Sequence, residues 1–215
     1  MCSSSKGRVW GWIAALSVIA ELLVFTAAAP VNVTPEHEWN VAVSKSCSQS
    51  SHRSSKNNGF CGRALNGNKT GYYYDEEPNS NCQHTSDTET TNWWSVDLGL
   101  GIYIHKIIIY ARVTFPKRME NISVILNGIE YCNTGASEGD ARISFDSPQK
   151  VRYIQLTRIG QDQETAILNF CELEAYSCNF TRWGESCETK CGTGCPHSVP
   201  SHIQCDRITG ACSGN

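Results

Sequence analysis

The sequence lacks the signatures of several large classes of protein. No segment of 12 or more residues repeats its apolar side chains every 3.6 positions, which excludes a helical bundle. Lysine and arginine are scattered singly rather than gathered in a stripe with aromatic residues, so we expect no nucleic-acid partner. The chain carries 18 basic and 21 acidic side chains, for a net charge of −3. That balance favours neither an anionic nor a cationic partner.

Catalytic groupings are also scarce. A glycosidase needs two carboxylates on opposite sides of a cleft. The acidic side chains closest in sequence to a histidine are Asp87 and Glu89, which follow His84 within one polar loop. Polar residues are expected in a loop without any catalytic role. We therefore expect no enzyme activity.

Only one apolar run is long enough to suggest targeting. Lys6 and Arg8 precede an apolar stretch at 9–20, and the small residues "TAAAP" that follow offer cleavage sites near Ala28 or Ala29. This pattern predicts a signal peptide at residues 1–29. Glu21 interrupts the run, which is therefore short for a span of about 20 residues, although a signal anchor stays open. We expect a secreted, extracellular protein with no membrane span after cleavage.

Cysteine, by contrast, is abundant. A density of twelve in 215 residues is rare in reducing cytosol and supports export. Six of the twelve lie in the last 38 residues, 178–215, which have almost no aliphatic side chains. Such a segment depends on cross-links rather than on an apolar core. The short spacing in "CETKCGTGC" leaves zinc as an alternative to disulfides.

The middle of the chain has the pattern of short strands separated by turns. Alternating or β-branched residues predict an all-β fold, a β-sandwich of the jelly-roll type. We assign residues 30–39 to a linker, 40–177 to the sandwich and 178–215 to a small disulfide-rich module. The expected strands lie at 40–44, 93–99, 104–110, 121–128, 151–159 and 166–176.

Ordered motifs in these two segments resemble two known families. The stretches "CGRALNGN", "CQHT", "NWWSVDLG", "KIIIYAR" and "NFCELEAYSC" occur in the order and spacing of the F-type lectins (fucolectins), relatives of the discoidin domains with a galactose-binding-like fold. The tail from Cys178 is similar to a partial laminin-like EGF module. Multiple-EGF-like receptor ectodomains couple the two modules in this order. The resemblance implies a fucolectin-like protein that binds glycans or cell-surface glycoproteins. The alternative is a fragment or soluble form of such a receptor that binds protein and no sugar.

The lectin resemblance assigns roles to individual residues. It implies that His84, Arg112 and Arg118 bind the sugar, and that Cys82 pairs with Cys171. This chain differs from the family in two other features of the sugar site. Thr114 stands where the family has an aspartate that orients the arginines, and Phe115-Pro116 replaces a cysteine pair that packs on the sugar. We expect Phe115 to serve as the apolar surface instead.

A calcium site is the second property that the resemblance implies. Calcium takes six to eight oxygen ligands, which a tight turn of backbone carbonyls can supply. Asn66 stands where the family usually has aspartate, so an ion-free Asn-Gly turn is the alternative. The implied ligands are the carbonyls of Arg63, Asn68 and Cys171 and the side chains of Asn66, Asn81 and Glu172.

Two further expectations concern modification and assembly. The sequons at Asn68, Asn121 and Asn179 are candidates for N-glycosylation in an exported chain. We also expect a bond between Cys47 and Cys61. Cys132 is then left as a free thiol or as the link of a disulfide-bonded oligomer.

Overall fold

The computed structural model describes residues 37–53, 59–71, 81–136, 138–179, 181–184, 187–193, 195, 205–206 and 208–212. The expected signal peptide and most of the expected linker lie outside these ranges. Among the described residues, no helix has the length and apolar character needed to cross a membrane.

Strands dominate the described chain, and helix is limited to single turns. The one α-helical turn, α1, covers Gln163–Ala166, and 3-10 turns occur at Cys61–Leu65 and Pro116–Met119. The strands are β1 (Glu38–Asn40), β2 (Ser46–Gln49), β3 (Thr91–Ala111), β4 (Ile122–Leu126), β5 (Ile129–Asn133), β6 (Ala141–Ile159), β7 (Phe170–Cys178), β8 (Arg182–Trp183) and β9 (Thr189–Lys190).

The first seven strands form an antiparallel β-sandwich. Its hydrogen-bonded order is β1-β7-β3-β6-β4-β5, with β2 also paired to β3. The long strands β3 and β6 contribute to both layers, because their register shifts at bulges between Asp97 and Ile102 and between Ile104 and Lys106. The early half of β3 pairs with β2, whereas the late half pairs with β7. The expected all-β fold is confirmed.

The core lies between the two layers and follows strict alternation. Trp94, Val96 and Leu98 point inward from β3 and are almost fully buried. The Trp94 indole stacks edge-on against Phe170 at 5.1 Å, and its Nε1 donates to the Cys61 carbonyl. Trp93 points the other way and is half-buried. The tryptophan pair is therefore explained by strand alternation, with one ring in the core.

The sequence located four of the six expected strands well. The segments at 93–99 and 104–110 are parts of one strand, β3, and the segments at 121–128 and 151–159 contain β4 and the end of β6. The Asn127-Gly128 turn has positive φ at both residues, 51° and 87°, as a two-residue hairpin requires. The strand expected at 166–176 begins later, at Phe170.

The strand expected at 40–44 is wrong. The chain leaves β1 at Asn40 and makes a turn in which Ser44 has a φ of 58°. The Asn40 side chain stabilises this turn, since its Oδ1 accepts from the Ala42 and Ala175 amides at 3.1 Å each. Val41 and Ala42 are buried as part of the turn, which explains their apolar character without a strand.

Between cysteines that the structure describes, five disulfides join ten residues. The two expected in the sandwich, Cys47–Cys61 and Cys82–Cys171, are both present. The expectation of a free thiol at Cys132 is wrong, because Cys132 is disulfide-bonded. The remaining bonds lie in the tail: Cys178–Cys187, Cys191–Cys205 and Cys195–Cys212.

These tail bonds replace the zinc alternative, since Cys187, Cys191 and Cys195 are all oxidised. The short strands β8 and β9 pair beside them. The tail begins at the last residue of β7, because Cys178 is both a strand residue paired with Glu38 and the first cysteine of the tail bonds.

Candidate functional site

One end of the sandwich carries a loop that is fixed against the start of β7. Residues 82–85 lie beside residues 168–171, with the Gln83 amide donating to the Phe170 carbonyl at 3.0 Å. The Thr85 amide donates to the Leu168 carbonyl at 3.1 Å. The Cys82–Cys171 disulfide adds a covalent bond to this pairing. The polar loop that precedes the tryptophan pair is therefore rigid at the position of its histidine.

His84 is the centre of this end and is fully buried. Its Nδ1 lies 2.6 Å from the Thr85 carbonyl oxygen, which requires that Nδ1 carries the proton. Its Nε2 is then an acceptor, and Arg118 Nη1 donates to it at 3.0 Å. Burial, together with the positive charges of Arg118, Arg53 and Arg112, lowers the pKa of His84 to about 4. The imidazole is therefore neutral at physiological pH and accepts through Nε2.

Two guanidinium groups converge beside this histidine. Arg112 follows the end of β3, and Arg118 lies in the Pro116–Met119 turn. Both donate through Nη1 to the Asn169 side-chain oxygen, at 3.3 and 3.1 Å. Both also lie over the Phe115 ring, with centroid distances of 4.6 and 4.3 Å. The structure thus brings together the three side chains that the resemblance assigned to the sugar.

The residue that replaces the family aspartate still orients an arginine. Thr114 Oγ1 accepts from Arg112 Nε at 2.7 Å. A hydroxyl oxygen supplies the acceptor here without the negative charge of a carboxylate. Phe115 is 46% exposed, as an apolar surface open to a ligand requires. The departures from the family pattern therefore leave the arginine geometry supported.

Three further residues of this region were not expected from the sequence. Asn169 joins both guanidinium groups and is fully buried. Arg158 donates to the Arg118, Lys117 and Ile167 carbonyls, so it fixes the turn that carries Arg118. Arg53 reaches the neighbourhood of His84 through its own loop, where its amide donates to the His84 carbonyl. Each depends on contacts between distant segments, which no local pattern reveals.

The expected calcium ligands lie on three segments that contact one another. The turn from Arg63 to Thr70 meets β7, because the Gly67 amide donates to Glu172 Oε1 at 3.0 Å. Asn81 reaches the same turn by donating to the Thr70 hydroxyl. Within the turn, Asn66 Oδ1 accepts from the Asn68 amide. The structure therefore brings Asn66, Asn68, Asn81, Cys171 and Glu172 to adjoining segments, with Arg63 in the preceding 3-10 turn.

Glu172 is the unusual group of this set. Its side chain is fully buried, and its Oε2 has no hydrogen-bond partner among the described residues. Burial raises the pKa of Glu172 to about 7. A buried carboxylate oxygen without a partner is costly, and a cation is one of the groups that can satisfy it. The residues present fit a hard cation in this respect.

One local sequence needs separate treatment because it has the spacing of a serine nucleophile turn. The pentapeptide GASEG at 135–139 matches G-x-S-x-G. It connects β5 to β6, so it lacks the helix that follows such a turn in hydrolases. Ser137 itself lies outside the described residues. This segment therefore carries no support for an enzyme.

The predicted glycosylation sites differ in exposure. Asn68 and Asn121 are exposed, and Asn179 is half-buried. The Asn68 side-chain oxygen accepts from the amide and hydroxyl of Thr70, the third residue of its sequon.

The similarity of this chain to known proteins is found by comparing structures and not by comparing sequences. No protein-family model matches the chain, and no curated protein matches its sequence. A fucose-binding module of Streptococcus pneumoniae is 26% identical with a TM-score of 0.52, and the match covers 65% of this chain and 98% of the module. The lectin domain of lectinolysin in complex with Lewis b antigen is 25% identical with a TM-score of 0.51, covering 64% and 95%.

A serum fucolectin of striped bass, Morone saxatilis, is similar as well. It is 24% identical with a TM-score of 0.53, and the match covers 65% of this chain and 49% of the fucolectin. All three are lectins or fucose-binding modules. The sandwich of this chain therefore has the fold of the fucose-binding lectin modules.

Proposed function

We propose that this protein is an extracellular carbohydrate-binding protein whose sandwich recognises fucose or a related neutral sugar. One observation carries the proposal: His84, Arg112 and Arg118 converge beside the half-exposed ring of Phe115. The similar structures include modules that bind fucose and one that binds Lewis b antigen.

The hydrogen-bonding roles of these groups suit a sugar. Guanidinium groups only donate, whereas neutral His84 accepts through Nε2. A sugar hydroxyl can accept from the guanidinium groups, and it can donate to His84 Nε2 in place of Arg118 Nη1, the donor that occupies that lone pair here. The apolar edge of a deoxy-sugar would pack on Phe115.

Direct titration with fucose and galactose tests this proposal. Arg112→Ala removes a charged donor from a site in which the side chain is almost buried, and hydrogen bonds to charged groups contribute about 1.5 to 3 kcal/mol. We expect fucose affinity to fall by about 10- to 100-fold. Calorimetry or ligand-detected NMR gives the dissociation constants.

The matched control is Lys117→Ala. Lys117 lies on the same turn but is exposed, and its ion pair with Glu138 is long at 3.8 Å. We expect its loss to leave fucose affinity unchanged. If neither immobilised fucose nor galactose retains the wild-type protein, the carbohydrate assignment fails. The same surface would then be assigned to protein recognition in a receptor-like ectodomain.

The proposal includes a calcium site at the turn of residues 63–70. The buried carboxylate oxygen of Glu172 supports it, and carboxylate and carbonyl oxygens are the ligands that calcium prefers. Calcium that binds only the native state raises its stability. We expect millimolar calcium to raise the melting temperature of the wild-type protein and to leave Glu172→Gln unchanged. Identical wild-type melting curves in calcium and in EDTA would favour the ion-free turn.

Export and modular organisation complete the proposal. The disulfides support an oxidising compartment, and we propose secretion through the signal peptide at 1–29. In such a chain the exposed Asn68 and Asn121 are the better glycan acceptors. We assign the three-disulfide tail to a partial EGF-like module, which peptide mapping of the secreted protein tests.

A further inference from the structure

Asn169 is a buried residue whose side chain hydrogen-bonds to three parts of the candidate site. It immediately precedes β7 and has no exposed surface. Its side-chain oxygen accepts from both Arg112 and Arg118. Its amide nitrogen donates to the backbone carbonyl of Gln83, the residue before His84. A single buried amide therefore joins both arginines to the loop that carries the histidine.

The position of Asn169 addresses a specific electrostatic problem. Two guanidinium groups over one ring repel each other, and burial strengthens that repulsion because the local dielectric constant is lower than that of water. The amide oxygen presents its partial negative charge to both groups at 3.1 to 3.3 Å. It offsets the repulsion without introducing an ionised group that would neutralise the arginines.

Arg118 is held from a second direction as well. Arg158 donates through Nη1 to the Arg118 carbonyl at 3.0 Å and through Nη2 to the Lys117 carbonyl at 3.3 Å. The backbone of the turn is thus fixed by Arg158, while the guanidinium group is fixed by Asn169 and His84. Asn169 is the side chain of this set that hydrogen-bonds to both guanidinium groups.

We infer that Asn169 is the positioning residue of the ligand site, which sets the two guanidinium groups and the His84 loop in their binding arrangement before a sugar enters. This role rests on the proposed function. Side chains ordered in advance lose less conformational entropy on binding, so their loss of order weakens affinity without removing a ligand contact.

Binding measurements give the first test. We expect Asn169→Ala to weaken fucose binding by about 10- to 100-fold, because the freed guanidinium groups must be ordered by the ligand. Asn169→Asp keeps an acceptor oxygen for both arginines but adds a negative charge and loses the donor to the Gln83 carbonyl, so it should recover only part of the affinity. If Asn169→Ala does not fold, Asn169→Ser takes its place, since its hydroxyl is too short to reach both guanidinium groups.

Asn92→Ala is the matched control for stability. Asn92 is an equally buried asparagine whose amide nitrogen donates to the Ser86, Glu89 and Ala166 carbonyls and not to the arginines. We expect it to lower the melting temperature as Asn169→Ala does while leaving fucose affinity unchanged. If affinity falls equally in both variants, Asn169 is only a structural residue and the inference is overturned.

A measurement without sugar separates this inference from the proposed function. Nitrogen-15 NMR of arginine side chains reports whether a guanidinium group is held. We expect slow rotation and resolved Nη signals for Arg112 and Arg118 in the wild-type protein, and fast rotation in Asn169→Ala. Unchanged signals in Asn169→Ala would overturn the positioning role. Failure of the wild-type protein to bind fucose or galactose, with these NMR changes present, would overturn only the proposed function.

Discussion

Phe115 is the residue on which the ligand site can be tested with the least effect on folding. Its ring is half-exposed and lies under both guanidinium groups. We expect Phe115→Ala to weaken fucose binding by at least about fivefold, because the apolar surface on which the sugar would pack is lost. The loss of its two cation–π contacts with the arginines, about 0.5 to 1 kcal/mol each at an exposed site, should lower the melting temperature by only a few degrees. Titration calorimetry and a thermal melt measure the two quantities.

Phe60→Ala provides the comparison at this scale. Phe60 is 44% exposed and stacks on His52 at 5.2 Å, so it matches Phe115 in size and exposure. We expect its loss to leave fucose affinity within experimental error. Equal effects of the two substitutions would argue that exposed aromatic area in general, rather than the ring under the arginines, determines binding.

The sequence could identify the chemistry-bearing residues of the site but not those that hold them. His84 and Arg112 stand in motifs with recognisable order and spacing, and Arg118 follows Arg112 in the next turn. Asn169 lies within an apolar segment, and its bond to Arg112 spans 57 positions. It is the first residue of the NFCELEAYSC motif, but no local pattern assigns it a contact with the arginines. Supporting residues of this kind emerge only from the three-dimensional arrangement.

At the scale of elements, the two sandwich disulfides allow a direct comparison. Cys82–Cys171 closes a sequence separation of 89, and Cys47–Cys61 closes one of 14. In the chain-entropy model, the long bond contributes about 4 to 5 kcal/mol and the short bond about 3 kcal/mol. Replacing Cys82 and Cys171 by alanine should therefore lower the free energy of unfolding more than replacing Cys47 and Cys61, as measured by denaturant titration.

The long bond should also matter for the ligand, because it fixes the loop that carries His84 against β7. Sugar affinity should fall when Cys82 and Cys171 are replaced and should persist when Cys47 and Cys61 are replaced. A larger loss of stability from the shorter bond would show that native packing, rather than chain entropy, determines the ranking.

The elements themselves were predictable where alternation is strong. β3 and β4 each have a regular apolar face. β3 contains bulges, and β4 ends in a two-residue turn. β5 has the sequence IEYCN, in which no residue is fully buried, so its pattern is weak. The strand expected at 40–44 failed because an asparagine side chain stabilises a turn there, which overrides the local alternation. Edges and turns therefore depend on side-chain bonds that the apolar pattern does not encode.

The whole molecule should show a pH dependence to which two buried groups contribute in opposite directions. Burial raises the pKa of Glu172 from 4.5 to about 7, so the folded state retains a proton that the unfolded state releases. The corresponding stability is present below pH 4.5 and is lost as the pH rises to 7. Burial lowers the pKa of His84 from 6.5 to about 4, so its contribution is present above pH 6.5 and is lost as the pH falls to 4.

Glu172→Gln isolates the first contribution. In EDTA, the melting temperature of the wild-type protein relative to that of the variant should fall as the pH rises from 4.5 to 7. Thermal melts at half-unit pH intervals measure this difference, which cancels the contribution of His84 because both proteins contain it. A difference that stays constant over the range would mean that Glu172 is solvated in the native state.

The pairing of Glu38 with Cys178 also decides how the module behaves under mechanical load. The chain enters the sandwich through β1 and leaves it through the neighbouring strand β7, so the segments before and after the sandwich both pull on the same edge of the sheet. Tension between them would unzip a three-residue antiparallel pair one rung at a time, starting at Glu38 and Cys178. Asn169, which binds the two arginines, lies at the other end of β7, nine residues from Cys178 and about 30 Å away. A pulling force would therefore separate β1 from β7 first. The candidate sugar site, at the opposite end of β7, would carry none of the load.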